Sequence, residues 1–245
     1  MRFKSPLTEA VLIKRMIKFL VLVALPQGKK IIVRCPNFGP LLGSDVLGSR
    51  VWFSNPLPPP VEYLHTLEIV EVDGGHLVAI NPEHTRPLIL EAIRQDLIPE
   101  LQGYQVIHTN AHPNIVQGYN LPLDILLKKN QEQCFMDVQL LTYANSEGQG
   151  IFPETSGAEI QHLHRLIAIK QNGHRAILCY CVQHSGANNI LLSERHDPLY
   201  HKLLKHAMLI GVEVIAYKAK ITLNQMQLEL PIPILLHEDL PLPKP

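Results

Sequence analysis

The chain has 245 residues, 46% of them hydrophobic and 18% charged, and 22 Lys and Arg are balanced by 22 Asp and Glu. This length allows one large domain or two modest ones, and zero net charge excludes a chain that is basic along its whole length. Four scattered cysteines exclude a disulfide framework and fit a cytoplasmic protein. Lys14, Arg15 and Lys18 interrupt the apolar stretch of residues 10–25, so we expect no membrane segment.

Basic residues are concentrated at the start of the chain. Residues 1–50 contain nine Lys and Arg against two Asp and Glu. This excess predicts an anionic partner for the first fifth of the chain. A solvated basic face without a partner is the alternative that charge alone leaves open.

The first third of the chain has the pattern of β structure. Short apolar runs bounded by turn residues predict strands at residues 11–15, 19–23, 30–35, 51–53, 67–72 and 76–80. Asp73-Gly74-Gly75 between the last two is a good hairpin signal. Five or six short strands without a helix predict a small barrel or sandwich.

After Asn81-Pro82 the pattern changes to mixed helices and strands. Helical spacing of apolar residues predicts helices at residues 87–97, 158–171 and 198–210. Strand patterns occur at residues 104–108, 121–127, 133–141, 175–182 and 212–218. This order predicts a mixed sheet flanked by helices. We therefore divide the chain into residues 1–82, residues 83–230 and a proline-rich, loosely packed tail of residues 231–245.

Two acidic residues lie inside apolar strands of the second part. Asp124 and Asp137 are each embedded in a hydrophobic run, where a carboxylate is costly unless it is paired or bound to a metal. Consecutive strands can bring both to one edge of the sheet, and alternation places Gln139 on the same face as Asp137. Glu91 on the preceding helix is a candidate third carboxylate.

This spacing matches the PD-(D/E)XK nuclease motif. In that motif two strand carboxylates hold Mg²⁺, and a lysine two residues after the second polarises the attacking water. Gln139 stands at the lysine position here. Ordinary edge-strand aspartates are the alternative interpretation, and no cofactor follows with certainty. If the site binds a cation, the motif predicts Mg²⁺ at Glu91, Asp124 and Asp137.

Motifs along the whole chain resemble the sugar fermentation stimulation protein family. The matching stretches include Leu12-Ile13-Lys14-Arg15, Lys18-Phe19-Leu20, Cys35-Pro36-Asn37-Phe38-Gly39, Phe152-Pro153-Glu154, His162-Leu163, His184-Ser185 and Gly211-Val212-Glu213. The resemblance implies an N-terminal OB-like β-barrel that binds DNA, followed by a mixed β-sheet domain of restriction-endonuclease-like fold with flanking helices. It also implies a regulatory role in sugar use.

The chain departs from the family pattern at the nuclease-like positions. The family arginine before Asp124 is absent, and its Glu-Val-Lys is Asp137-Val138-Gln139 here. Matching Gln161 to the glutamine of the family's next helix requires a gap. These departures predict a degenerate catalytic set of Asp124, Asp137 and Gln139.

Three functions are consistent with the sequence. The leading one is a regulatory DNA-binding protein with little or no nuclease activity, in which Arg15 and Lys18 contact phosphates and Asn37 shapes the binding loop. The second is a metal-dependent DNA nuclease that uses Asp124 and Asp137. The third is a protein-interaction module on a retired nuclease fold. The oligomeric state stays open.

Overall fold

The first part of the chain is a β-barrel. In this computed structural model, residues 1–37, 39, 41–55, 65–111, 122–152, 157–194 and 197–237 are described. Six strands come first, β1 (Thr8–Ile17), β2 (Leu20–Ala24), β3 (Lys30–Arg34), β4 (Arg50–Ser54), β5 (Thr66–Val72) and β6 (His76–Ala79). Their order is β3-β2-β1-β4-β5-β6. Pairing of Arg34 with Thr66 joins β3 to β5, which closes the first five strands into a barrel.

Alternation along these strands fills the barrel. Val21, Val23, Val33, Val51 and Phe53 point inward and are at most 2% exposed. β6 adds to β5 through the predicted hairpin, whose Gly74 and Gly75 have φ of 78° and 75°. Glycine adopts that left-handed conformation without a steric penalty, so the turn can be this tight.

The second part is a mixed sheet with helices on both faces. Its elements are α1 (Thr85–Arg94), β7 (Gln105–Ala111), β8 (Leu123–Lys129), β9 (Glu132–Leu141), β10 (Gln149–Ile151), α2 (Gly157–Gln171), β11 (Arg175–Val182), β12 (Asn189–Ser193), α3 (Pro198–Ile210), β13 (Glu213–Ile221), β14 (Met226–Pro231) and β15 (Ile234–His237). The six-stranded sheet has the order β14-β13-β11-β9-β8-β7. β9, β11 and β13 are parallel, and the outer strands pair antiparallel.

β11 shows how the sheet is covered. Ile177 and Cys179 pack in the same core as Leu88 of α1. Leu178 and Tyr180, one residue out of phase, pack with α2 and α3 on the other face. A strand buried on both sides reads as a continuous apolar run, as residues 175–182 do. The expected barrel and the expected mixed sheet with flanking helices are both confirmed.

A third, small sheet was not predicted. β10, β12 and β15 are parallel neighbours, and β15 pairs Ile234 with Ile190 of β12. The expectation of a loose tail from residue 231 onward is therefore wrong for Ile234–His237, because an edge strand tolerates the flanking prolines. Residues 238–245 lie outside the described part of the chain.

β6 also joins the barrel to the second sheet. The Ala79 N–H donates to the Gln183 carbonyl at 3.1 Å, and the Ser185 N–H donates to the Leu77 carbonyl at 2.9 Å. Trp52 and Ile69 of the barrel share a hydrophobic core with α1 and β11. The short turn Pro82–His84 then leads from β6 into α1.

The four cysteines are free and buried. Burial raises the pKa of Cys134 and Cys181 to about 12, so these thiols stay protonated at neutral pH. Free and buried thiols agree with the expectation that the cysteines form no disulfide framework. Among the helices described, none combines the length and the apolar character needed to cross a bilayer.

Candidate functional site

Asp124 and Asp137 lie where β8 and β9 stop pairing. The antiparallel register of these strands ends at Ile125 opposite Met136. Asp124 immediately precedes Ile125, and Asp137 immediately follows Met136. The Asp124 side chain takes over the bonding at this fork, because its Oδ2 accepts the Val138 N–H at 2.8 Å. The structure therefore brings the two strand carboxylates together at one sheet edge.

Asp137 is fully buried and has one oxygen in use and one free. Oδ2 accepts the Gln139 amide at 3.1 Å and lies 2.7 Å from Nδ1 of His162. Gln139 thus faces the same side as Asp137, as strand alternation predicts. Oδ1 is buried without a hydrogen-bond partner among the described residues. A buried carboxylate oxygen left unpaired is costly, which makes this atom a candidate ligand for a cation.

The proximity of the carboxylates shifts the pKa values of Asp124 and His162. Burial and, after it, the negative charge of Asp137 raise the pKa of Asp124 to about 6, although the Val138 N–H and Arg86 oppose the shift. Burial by itself would lower the pKa of His162, but its hydrogen bond to Asp137 and the charge of that carboxylate raise it overall. Negative charge at this centre is therefore only partly compensated.

His162 is a site residue that sequence reasoning missed. Gln161, the candidate from the resemblance, is exposed, whereas His162 turns toward the sheet. Successive helix residues point about 100° apart. Matching the family's glutamine to Gln161 required a one-residue gap, and this shift selected Gln161 instead of the adjacent His162. The buried Leu163, Leu166 and Ile169 define the inner face of α2 and are the signal that could have found His162.

Arg86 supplies a positive charge beside Asp124. Its guanidinium donates to Oδ1 of Asp124 at 3.5 Å and to the side chain of Asn110. In the family pattern an arginine precedes the aspartate on the same strand, and this arginine is absent before Asp124. The positive charge beside Asp124 comes instead from Arg86 of helix α1. The sequence offered no local signal for this contact, since the two residues are 38 positions apart.

Glu91 does not join the two aspartates. Its carboxylate pairs with the amino group of Met1, which also donates to the Met226 carbonyl at 2.7 Å. Over the described ranges, no three His, Cys, Asp or Glu side chains are grouped closely enough to hold a metal ion. The expected grouping of Glu91 with the two aspartates is therefore wrong, and Asp124 and Asp137 are left as the candidate pair.

The pair still fits a hard divalent cation of the kind that Mg²⁺ and Ca²⁺ represent. Oδ1 of Asp137 has no hydrogen-bond partner in the described part of the chain, and Oδ1 of Asp124 makes a long contact of 3.5 Å with Arg86. Such cations take oxygen ligands, and Mg²⁺ is commonly held by one or two carboxylates with water and phosphate at the other positions. Two ligands from the protein predict weak binding.

In the barrel, Arg15 and Asn37 build a loop. The Arg15 guanidinium donates to the carbonyls of Lys18, Asn37 and Gly39 at 2.8, 3.2 and 3.3 Å. Asn37 Oδ1 accepts the Gly39 N–H at 2.9 Å, which forms a tight turn. Arg15 therefore holds the loop together from β1, and Lys18 is exposed. Phe38 lies outside the described residues, as do Pro153 and Glu154.

The basic residues of the barrel differ in whether a carboxylate compensates their charge. Arg34 pairs with Glu83, and Arg50 pairs with Glu9 and Glu71, so both are compensated. The exposed group consists of Lys14, Lys18, Lys29 and Lys30. Among the described residues of β1 to β3 and their turns, these four lysines have no carboxylate partner, whereas the Arg15 guanidinium is directed at backbone carbonyls.

Comparison with known proteins assigns the family. The model described as "Sugar fermentation stimulation protein RE domain" matches residues 83–225. The chain belongs to the sugar fermentation stimulation protein family. The family homologue of Teredinibacter turnerae is 35% identical over 237 residues, which cover 96% of this chain and 100% of that protein. The homologue of Saccharophagus degradans is 38% identical over 218 residues, covering 89% and 92%.

A solved structure of the family has the same fold. The structure of Pyrococcus furiosus SfsA in complex with Ca²⁺ aligns with a TM-score of 0.83 over 96% of this chain and 98% of that one. The two sequences are 20% identical in this alignment. The arrangement of a barrel followed by a mixed sheet is thus shared with this archaeal family member.

Proposed function

We propose that this family member is a regulatory DNA-binding protein whose nuclease-like centre does not cleave DNA at an appreciable rate. The observation that carries the second half of the proposal is the position of Gln139. Its amide donates to Asp137 at the place where the nuclease motif has a lysine. An amide can orient a water molecule but brings no positive charge to the reacting phosphate.

The absence of the lysine charge at position 139 should slow DNA cleavage. Removing one well-placed electrostatic stabiliser typically costs about 2.7–4 kcal/mol, or roughly 10²–10³ in rate. His162 does not replace it simply, because its Nδ1 is bound to the same Asp137 oxygen as the Gln139 amide. Both groups orient Asp137 through these atoms, and neither nitrogen is then available to orient a water molecule.

DNA binding would use the barrel, in keeping with the proposed division at residue 82. Lys14, Lys18, Lys29 and Lys30 are exposed there. Lysine contacts with phosphates give affinity that depends on salt and little on base sequence. Arg15 would act indirectly, by holding the loop that contains Asn37 in its conformation.

A divalent cation is part of this proposal as a ligand. The Pyrococcus furiosus relative is described in complex with Ca²⁺. In this chain Asp124 and Asp137 would hold the ion, and the chemistry it supplies when bound is attraction of a phosphate oxygen. Arg86 would hold Asp124 in place, and His162 and Gln139 would orient Asp137.

Two assays on the unmodified protein test the proposal. DNA binding is measured over a salt series with and without Mg²⁺, and cleavage is measured with Mg²⁺ and with Mn²⁺. We expect salt-dependent binding and no cleavage above that of the Asp124→Ala variant, which serves as the contamination control. Cleavage that this variant abolishes would refute the absence of nuclease activity, and absence of binding at low salt would refute the DNA partner.

A metal-dependent nuclease is the second candidate, and one observation favours it. Asp137 Oδ1 is buried and unpaired in the described structure, as expected for a ligand atom whose cation completes the site. The cleavage assay with the Asp124→Ala control separates this candidate from the first.

A further inference from the structure

A cleft of about 770 Å³ lies between the barrel and the second sheet. One wall is formed by residues 42–44 and the β5–β6 turn, and the other by residues that follow the carboxyl ends of β9 and β11. The carboxyl edge of parallel strands is where α/β sheets usually bind ligands. The volume lies within the range of about 300–1,000 Å³ that small-molecule sites occupy. Asp124, Asp137 and His162 do not line it, so it is separate from the nuclease-like centre.

Ser44 leaves an unpaired hydroxyl in this cleft. The residue is 2% exposed, and its Oγ has no hydrogen-bond partner in the described ranges. Its position is fixed by Gly43, which has a φ of +68° and on which a Cβ would lie 3.3 Å from the Tyr143 ring. Burying a hydroxyl without a partner is unfavourable, so a ligand that forms a hydrogen bond with it removes this penalty and binds more tightly.

His184 provides a second neutral polar group. Its Nδ1 accepts the Gly186 N–H at 3.1 Å, so the hydrogen of the neutral ring is on Nε2, which is a donor. Burial and the neighbouring His76 lower the pKa of His184 to about 4, which keeps the ring uncharged at neutral pH. The His76 and His184 ring centroids are 5.9 Å apart.

The remaining walls are aromatic and carry little charge. Phe152 is stacked on Tyr200 with centroids 5.5 Å apart and an angle of 21°, so its orientation is fixed. Tyr143 and His76 add two further rings to the lining. Asp73, at the exposed turn, is the only Asp, Glu, Lys or Arg among the described lining residues. The cleft therefore suits a planar, uncharged group and provides no cation for a phosphate.

We propose that this cleft binds the uncharged heteroaromatic ring of a nucleobase. The ring packs on the aromatic walls, and its polar edge pairs with the Ser44 hydroxyl and the His184 Nε2–H. A free nucleoside and an unpaired base of a nucleic acid both present this ring. The inference goes beyond DNA binding by the barrel, because a free nucleoside needs none of the lysine–phosphate contacts.

Calorimetric titration of the full chain tests this inference. Adenosine, guanosine, cytidine and uridine are titrated into the wild type, into Ser44→Ala and into Ser5→Ala, a control at a serine outside the cleft. We expect saturable binding of at least one nucleoside to the wild type and to Ser5→Ala. Loss of one neutral hydrogen bond should weaken binding to Ser44→Ala roughly 2- to 10-fold. Circular dichroism checks that each variant is folded.

A second arm identifies the source of the ring. Two DNA duplexes that differ by one unpaired base are compared on the same three proteins. Tighter binding of the duplex with the unpaired base, reduced in Ser44→Ala by a similar factor of roughly 2 to 10, assigns the cleft to a base of nucleic acid. If neither nucleosides nor the unpaired base bind, or if ribose alone binds as well as a nucleoside, the inference is wrong. Failure of both duplexes to bind refutes the DNA partner and leaves the nucleoside result to decide.

Discussion

Nδ1 of His162 lies 2.7 Å from Oδ2 of Asp137, so a helix histidine reaches the carboxylate of the neighbouring strand. Asp137 is fully buried, and the His162 side chain is 21% exposed. This contact orients the Asp137 carboxylate from α2. It also gives Asp137 a second partner besides the Gln139 amide.

His162→Ala should lower the free energy of unfolding by about 1–3 kcal/mol, because it removes a donor from a buried carboxylate. His164→Ala is the matched control, since His164 is exposed on the same helix and should change stability by at most about 0.5 kcal/mol. Urea unfolding near pH 6 measures both. Equal effects of the two substitutions would show that the Asp137 contact contributes nothing.

Asp124→Asn should be more stable than the wild type at pH 7.5. The pKa of Asp124 rises from 3.8 to about 6 on folding, so the folded state binds the proton more tightly than the unfolded state. The stability that the protonated Asp124 carboxyl group contributes is therefore lost as the pH rises from about 4 to 6. The Asn side chain does not ionise, so the variant avoids this loss. We expect a gain of about 1–3 kcal/mol at pH 7.5 that disappears near pH 4. Urea unfolding in EDTA tests it, and a gain independent of pH would contradict it.

Ca²⁺ should stabilise the wild type through Asp124 and Asp137. A ligand at ten times its Kd that binds only the folded state raises the free energy of unfolding by about 1.4 kcal/mol. Asp124→Asn should remove this response, whereas Glu91→Gln should keep it, because Glu91 pairs with Met1. Thermal unfolding against Ca²⁺ concentration measures the effect. Loss of the response in Glu91→Gln would restore Glu91 as a ligand.

Lys18→Ala should affect DNA binding, whereas Arg15→Ala should affect stability. Lys18 is exposed, so its removal should reduce the salt dependence of DNA binding by about 0.9 in log–log slope and leave stability unchanged. Arg15 donates to three carbonyls, so its removal should lower the unfolding free energy. Lys202→Ala, on α3, is the control lysine outside the barrel. Identical salt slopes for all three variants and the wild type would exclude a phosphate contact at Lys18.

Strand alternation predicted the core of the centre. Asp137 and Gln139 share a face because they are two residues apart on β9, and the short β8–β9 connection brings Asp124 beside them. The contacts of His162 and Arg86 depend on how helices sit against the sheet. Periodicity indicates which side of a helix is buried but not which strand residue it meets.

The third sheet was missed for a related reason. β10, β12 and β15 have three to five residues each and come from distant parts of the chain. Such short strands carry too few residues to show an alternation, and their parallel pairing leaves no turn signal between them. The pairing of Glu91 with Met1 was equally invisible, because no spacing rule relates a helix residue to the start of the chain.

The hydrogen bonds of Leu77 and Ala79 to residues 183–185 determine how the protein can be divided. Cutting at residue 82 would keep β6 with the barrel but take away its partners, leaving an unpaired strand edge. The other half would lose the cover that Trp52 and Ile69 give to its core. We therefore expect the two parts to unfold in one cooperative transition and each half expressed alone to aggregate.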